Sequence, residues 1–220
     1  IAGTGSNDTR ASITLTKEAE DLGADAVLLV APYYNKPTQH GHIEHYRAIA
    51  DSTDIPMIIY NVPGRTGSNM SAETQLAIAS LSRNIIATKE ASANLEQMQE
   101  IIRNAPEHFT LLSGDDSLAL PAISCGATGV IAVISNYAPK RFGGLIRSAL
   151  AGDFAAARKE QYSLLAMMKV NFIESNPIPV KFILHESGLI GETYRLPLTP
   201  MQESNKAIVR TAMQAAGTLA

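Results

Sequence analysis

The chain has one cysteine, no excess of basic charge and no run of eighteen apolar residues, and each shortage removes a class of function. A lone Cys125 forms no internal disulfide, and its apolar setting, Ala122-Ile123-Ser124-Cys125-Gly126, predicts a buried structural thiol in a reducing cytoplasm. Without a long apolar run there is no membrane-spanning helix. No charged-then-apolar leader with a cleavage site opens the chain, so a soluble, cytoplasmic protein is expected. The net charge is −3 and the basic residues are scattered, which leaves no basic surface for nucleic acid. No glycine stands three positions beyond Gly5 in Gly3-Thr4-Gly5, so the dinucleotide-binding turn Gly-x-Gly-x-x-Gly is absent. His40, His42 and His45 lack the i,i+4 pair of a zinc-binding helix; at the start of a helix they are expected to be solvated surface, and no metal is expected.

What is present is 45% hydrophobic residues in 220, enough for a sizeable core. Short apolar runs alternate with amphipathic stretches. Strands are predicted at 26–31, 57–61, 85–89, 109–113 and 129–134, with a remnant strand at 1–5. Helices are predicted at 9–22, 42–52, 71–81, 95–104, 117–125 and 139–150. Residues 6–9, Ser-Asn-Asp-Thr, supply a helix N-cap. Such an alternation, at about twenty-five to thirty residues per repeat, is a succession of βα units. After Gly152 the strands stop and helices follow at 154–172, 178–187 and 201–216. The expected architecture is an α/β (β/α)8 TIM barrel over 1–151 followed by a helical region over 152–220. Eight strands close such a barrel, and with no initiator methionine the chain reads as one whose N-terminal strands are missing. A doubly wound sheet is the competing architecture.

The strands read as buried on both faces, because their apolar/polar alternation is lost. In an α/β barrel the carboxyl ends of the strands carry the chemistry. Ile85-Ile86-Ala87-Thr88-Lys89 places Lys89 at such an end, where desolvation lowers an amine's pKa and frees it to attack a ketone. Tyr33 and Tyr34 follow the preceding strand but one; Tyr60 and Asn61 end the strand between, with Arg65 in the loop after it. Ser113-Gly114-Asp115-Asp116 ends the strand after Lys89, where an aspartate most simply caps the next helix. A phenol beside a lysine can relay protons, and an arginine can grip a carboxylate through two parallel hydrogen bonds. Together they read as a ketoacid site.

Tyr60-Asn61-Val62-Pro63-Gly64-Arg65-Thr66-Gly67, the Lys89 strand, Pro32-Tyr33-Tyr34-Asn35-Lys36-Pro37, Leu112-Ser113-Gly114-Asp115-Asp116 and Asn176-Pro177-Ile178-Pro179-Val180-Lys181 resemble the 4-hydroxy-tetrahydrodipicolinate synthase family, from Ile1 to the C-terminus. The family lies within the pyruvate-dependent class I aldolases. The Tyr-Asn-x-Pro motif and the lysine are shared across that wider group; Arg65 in Arg-Thr-Gly and the Tyr33-Tyr34 pair point to the synthase. The resemblance implies that Lys89 forms a Schiff base with pyruvate and that Tyr60 relays protons. It implies that Tyr34 completes the relay in a neighbouring subunit and that Arg65 holds the carboxylate of aspartate semialdehyde. Gly114 and Ile131 would line the pyruvate pocket, and a Thr-Thr pair of the family has no counterpart in this stretch. It further implies no metal or organic cofactor and a homotetramer built as a dimer of dimers. Gly5, Asn7 and Tyr33 match positions that bind lysine in feedback-inhibited members, whereas Ala11 stands where those members have a glutamate. Two other readings stay open: a related aldolase, such as N-acetylneuraminate lyase or a sugar-acid aldolase, and a member of the family that has lost catalysis.

Overall fold

The apolar runs become the strands of one parallel sheet, and the amphipathic stretches become the helices between them. The computed structural model describes residues 1–217. In chain order the elements begin β1 (Ala2–Gly3), α1 (Thr9–Asp21), β2 (Val27–Val30), α2 (Gln39–Ala50) and β3 (Met57–Asn61). Then come α3 (Pro63–Thr66), α4 (Ala72–Ala79), β4 (Ile85–Glu90), α5 (Leu95–Asn104) and β5 (Thr110–Ser113). A short 3₁₀ turn at Asp116–Leu118 leads into α6 (Ala119–Ser124) and β6 (Gly129–Val130). A second 3₁₀ turn, Ile134–Asn136, precedes α7 (Pro139–Leu150), α8 (Phe154–Val170), α9 (Ile178–Glu186) and α10 (Glu203–Ala216).

By contact density the residues fall into two units: Ile1–Gly114 with Pro121–Val130, and Asp115–Leu120 with the chain from Ile131 onward. In the first, all six strands pair in parallel in the order β1-β2-β3-β4-β5-β6. A doubly wound sheet reverses its winding at a switch point, and here none occurs among the described residues. Successive right-handed crossovers in one direction place the connecting helices on one face. Burial follows from that. Asn61, Glu90 and Ser113, aligned across β3, β4 and β5, are wholly buried. Val30, Tyr60, Lys89 and Leu112, aligned one residue earlier, are half-exposed. The expectation of strands buried on both faces holds in the middle of β3 and β4, where Met57, Ile58 and Ile59, and Ala87 and Thr88, are all buried, but not in β2 or at the carboxyl ends, where one face stays partly open. Leu29, Met57, Ile59, Ile78, Ile85, Met98 and Ile101 fill the covered side. Each such side chain contributes about 1.5–3 kcal/mol of transfer free energy.

Local rules account for most helix ends. Asp8 caps α1 by accepting from the Ala11 amide at 2.7 Å, Thr38 caps α2 and Asn94 caps α5. The Thr38 cap starts α2 three residues before the expected position. Three departures have physical causes. The 62–70 segment is not all loop: Pro63 opens α3 and Gly67, at φ 73°, closes it. β6 is shorter than expected because the Asp116 carboxylate accepts from the amides of Val133 and Ile134, both at 2.8 Å, and so stabilises the 3₁₀ turn there. Asp116 thus braces a turn distant in sequence. Cys125 is half-buried, not buried, and is free.

In the second unit α7 packs on α8, and α8 on α10. Arg141 joins Glu160 at 2.7 Å, and Tyr137 donates to the Asn171 side chain at 3.0 Å. On α9 and α10 the cations of Lys206 and Arg210 lie over the Phe182 ring, at 5.4 and 5.1 Å. Among the described residues no helix is long and apolar enough to cross a membrane.

Candidate active site

Parallel register sets the geometry of the site. Tyr60 pairs with Lys89 across β3 and β4, so two side chains 29 positions apart in sequence leave adjacent strands on the same face. The Lys89 ammonium nitrogen lies 4.1 Å from the centre of the Tyr60 ring. At that distance the ring face offers electrostatic attraction to the cation, and the phenol stands beside the amine. Thr88 and Glu90 point the other way, to Gln75 on α4 and Gln97 on α5.

Arg65 is exposed on α3, one short turn beyond β3. Thr66 fixes that turn by donating to the carbonyls of Val62 and Ser68. Gly114 follows β5, and its amide donates to the Glu90 carbonyl at 2.7 Å. A Cβ on Gly114 would come within 2.5 Å of the Ala91 methyl, so the close approach of the two strand ends requires glycine. Ile131 lies one residue past β6, half-buried, in the second unit.

The Tyr33-Tyr34 pair follows β2. Tyr34, at φ 70°, is 88% exposed, so it leaves the surface of its own chain rather than packing against Lys89. Tyr33 is 42% exposed. Gly5 and Asn7 sit between β1 and α1, and the Asn7 carbonyl accepts from the Asn35 side chain at 2.9 Å, which ties this loop to the one carrying the tyrosines. Gly5 lies so close to β2 that a Cβ would be 2.3 Å from the Val30 nitrogen.

The histidines are where the sequence reading needs its main correction. His40 is exposed, but His42 and His45 are buried on the inner face of α2 with Tyr46 and Ile49. His42 Nε2 is 3.2 Å from the Ser68 hydroxyl, and His45 Nδ1 is 2.8 Å from the Thr9 hydroxyl. Burial disfavours the imidazolium of both; His45, also beside His42 and only partly compensated by Asp8, is pushed down to about 4. The positions 42, 45, 46 and 49 have the spacing of a buried helical stripe, and that spacing was the available signal. Among the described residues no group of acids, histidines and cysteine could hold a metal ion. Unforeseen as well was the buried amide cluster around Glu90, for which sequence gives no local sign.

A sequence profile of the Dihydrodipicolinate synthetase family matches residues 1–216. The chain belongs to this family. The 4-hydroxy-tetrahydrodipicolinate synthase of Chlorobaculum parvum is 47% identical over 218 residues, 99% of this chain and 74% of the relative. The crystal structure of dihydrodipicolinate synthase from Aquifex aeolicus superposes with a TM-score of 0.97 at 45% identity, covering 99% of this chain and 74% of that one. A Cyanidioschyzon merolae family structure, with lysine bound, matches with a TM-score of 0.96 at 43% identity over 99% of this chain and 74% of that one.

Proposed function

We propose that this chain is a 4-hydroxy-tetrahydrodipicolinate synthase, condensing pyruvate with aspartate semialdehyde through a Schiff base on Lys89. The observation that carries the reading is the Lys89–Tyr60 pair, held side by side by strand register in a chain that is 47% identical to a synthase of that name. The Lys89 amine adds to the ketone carbon of pyruvate, and water leaves as the imine forms. Tyr60 carries the protons that this exchange moves. The protonated imine withdraws electrons, so the pyruvate methyl loses a proton and the resulting enamine attacks the aldehyde carbon. Arg65 binds the carboxylate of the semialdehyde. The substrate's own amine then attacks the imine carbon, closing the ring and freeing Lys89. The lysine does the work of an electron sink, so the scheme needs no metal or organic cofactor.

The same reading places Tyr34 in a neighbouring subunit's relay within a homotetramer, and its 88% exposure supports a contact between chains. We place the sheet in a closed eight-stranded barrel, which its unreversed strand order supports, with 152–220 as a helical appendage. A half-buried free Cys125 is in keeping with a reducing, cytoplasmic setting. The test is borohydride reduction with pyruvate, followed by peptide mass mapping. One adduct on Lys89 is expected, and an adduct on Lys36 or Lys181 instead would overturn the assignment.

A further inference from the structure

Behind Lys89, on the opposite face of β4, the wholly buried Glu90 carboxylate gathers three primary amides and one backbone N–H. Asn61 Nδ2 lies 3.0 and 3.1 Å from its two oxygens, Gln75 Nε2 at 2.6 Å, Gln97 Nε2 at 3.1 Å and the Ser92 amide at 2.8 Å. All these donors are neutral. A carboxylate only accepts, so it turns the NH₂ end of every carboxamide toward itself and fixes where each amide oxygen points. The Asn61 oxygen then accepts from the Met70 amide at 3.1 Å. The Gln97 oxygen accepts from Asn69 Nδ2 at 2.9 Å. The Gln75 oxygen accepts from the Thr88 hydroxyl at 2.7 Å. Two of the three oxygens therefore hold Asn69 and Met70, the residues that return the chain after α3. The Met70 carbonyl adds acceptor contacts to Gln75 at 3.0 Å and Gln97 at 3.2 Å.

Resting on the synthase reading above, we propose that Glu90 is a positioning residue for Arg65: its carboxylate orders the amides that hold the 62–70 segment at the height where Arg65 meets the second substrate. Glutamine is nearly isosteric but would present an NH₂ to a shell made of NH₂ groups. At least one amide must turn over, and its oxygen then releases Met70, Asn69 or Thr88.

The test uses the natural full-length enzyme. For Glu90→Gln, the KM for aspartate semialdehyde should rise about tenfold, while kcat, the KM for pyruvate and borohydride trapping on Lys89 stay within about twofold. In an Arg65→Ala background the same substitution should raise that KM no further, since the two act through one contact. Asn69→Ala, at the exposed edge of the shell, should move the same KM in the same direction and carries the test if Glu90→Gln folds poorly. An unchanged KM for the semialdehyde, an equal loss in both substrates' KM values, or full additivity with Arg65→Ala would overturn the assignment. Failure of pyruvate to trap the unmodified enzyme is a different result, and it would overturn the Schiff-base reading instead.

Discussion

Gly114→Ala tests whether the close approach of β4 and β5 shapes the site. The added methyl would lie 2.5 Å from the Ala91 Cβ and 3.2 Å from both the Ala91 Cα and the Glu90 carbonyl oxygen. Carbon atoms attract best at about 3.5–4.0 Å, so the overlap is about 1 Å. Both carbons are fixed to backbone, and no rotamer change can relieve it. The strand ends must part, stretching the 2.7 Å bond from the Gly114 amide to the Glu90 carbonyl. Overpacking of this kind costs about 1–3 kcal/mol, and the weakened hydrogen bond about 0.5–1.5 kcal/mol more. With about 2–4 °C of melting temperature per kcal/mol for a chain of this size, a total of about 1.5–4.5 kcal/mol lowers Tm by about 3–18 °C. Calorimetry measures the shift, and the rate of borohydride trapping with pyruvate reports the displaced Lys89 strand. Gly64→Ala is the control, because its Cβ would meet nothing within 4 Å. If Gly114→Ala melts within about 2 °C of the parent and traps pyruvate at the parent rate, the steric reasoning is wrong.

Three further expectations follow from the site and its surroundings. Tyr60→Phe keeps the ring against Lys89 but removes the proton carrier, so imine formation should slow by about a hundredfold or more, read as single-turnover trapping; an unchanged rate would assign the relay elsewhere. The pKa of His45 is lowered on folding from the ordinary 6.5 to about 4, so the unfolded chain binds the proton first. Stability is then fully present above about pH 6.5 and falls toward pH 4 by at most about 1.4 kcal/mol per unit; denaturant midpoints should show this slope in the parent and a flatter one in His45→Gln. Lysine should inhibit weakly: Gly5, Asn7 and Tyr33 are present, but Ala11 offers no carboxylate to the inhibitor's amine, a loss of about 1.5–3 kcal/mol. Half-inhibition at submillimolar lysine, on the order of the micromolar-to-millimolar affinities that a few good contacts give, would mean that another acid has replaced it.

Element type was legible in the sequence, and so was the placing of Tyr60 and Lys89 at strand carboxyl ends, because both rest on local chemistry. Short apolar runs ending in Tyr60-Asn61 and Lys89-Glu90 are strands with polar carboxyl ends, and α5 and α7 begin and end where their caps and prolines put them. The resemblance carried by its motifs named the family that the profile match bears out. Sequential strand order was implied by the barrel expectation and is what the pairing shows. The register was not legible, since periodicity within a strand says nothing of its neighbour; only pairing shows that Tyr60 meets Lys89. The burial of His42 and His45 was missed because imidazole is polar enough to pass for surface until α2 turns it inward against Thr9 and Ser68. The Glu90 shell lay furthest out of reach. Its amides stand 7, 15 and 29 positions away, on three different elements, and no local pattern reveals a carboxylate whose partners exist only once those elements have packed.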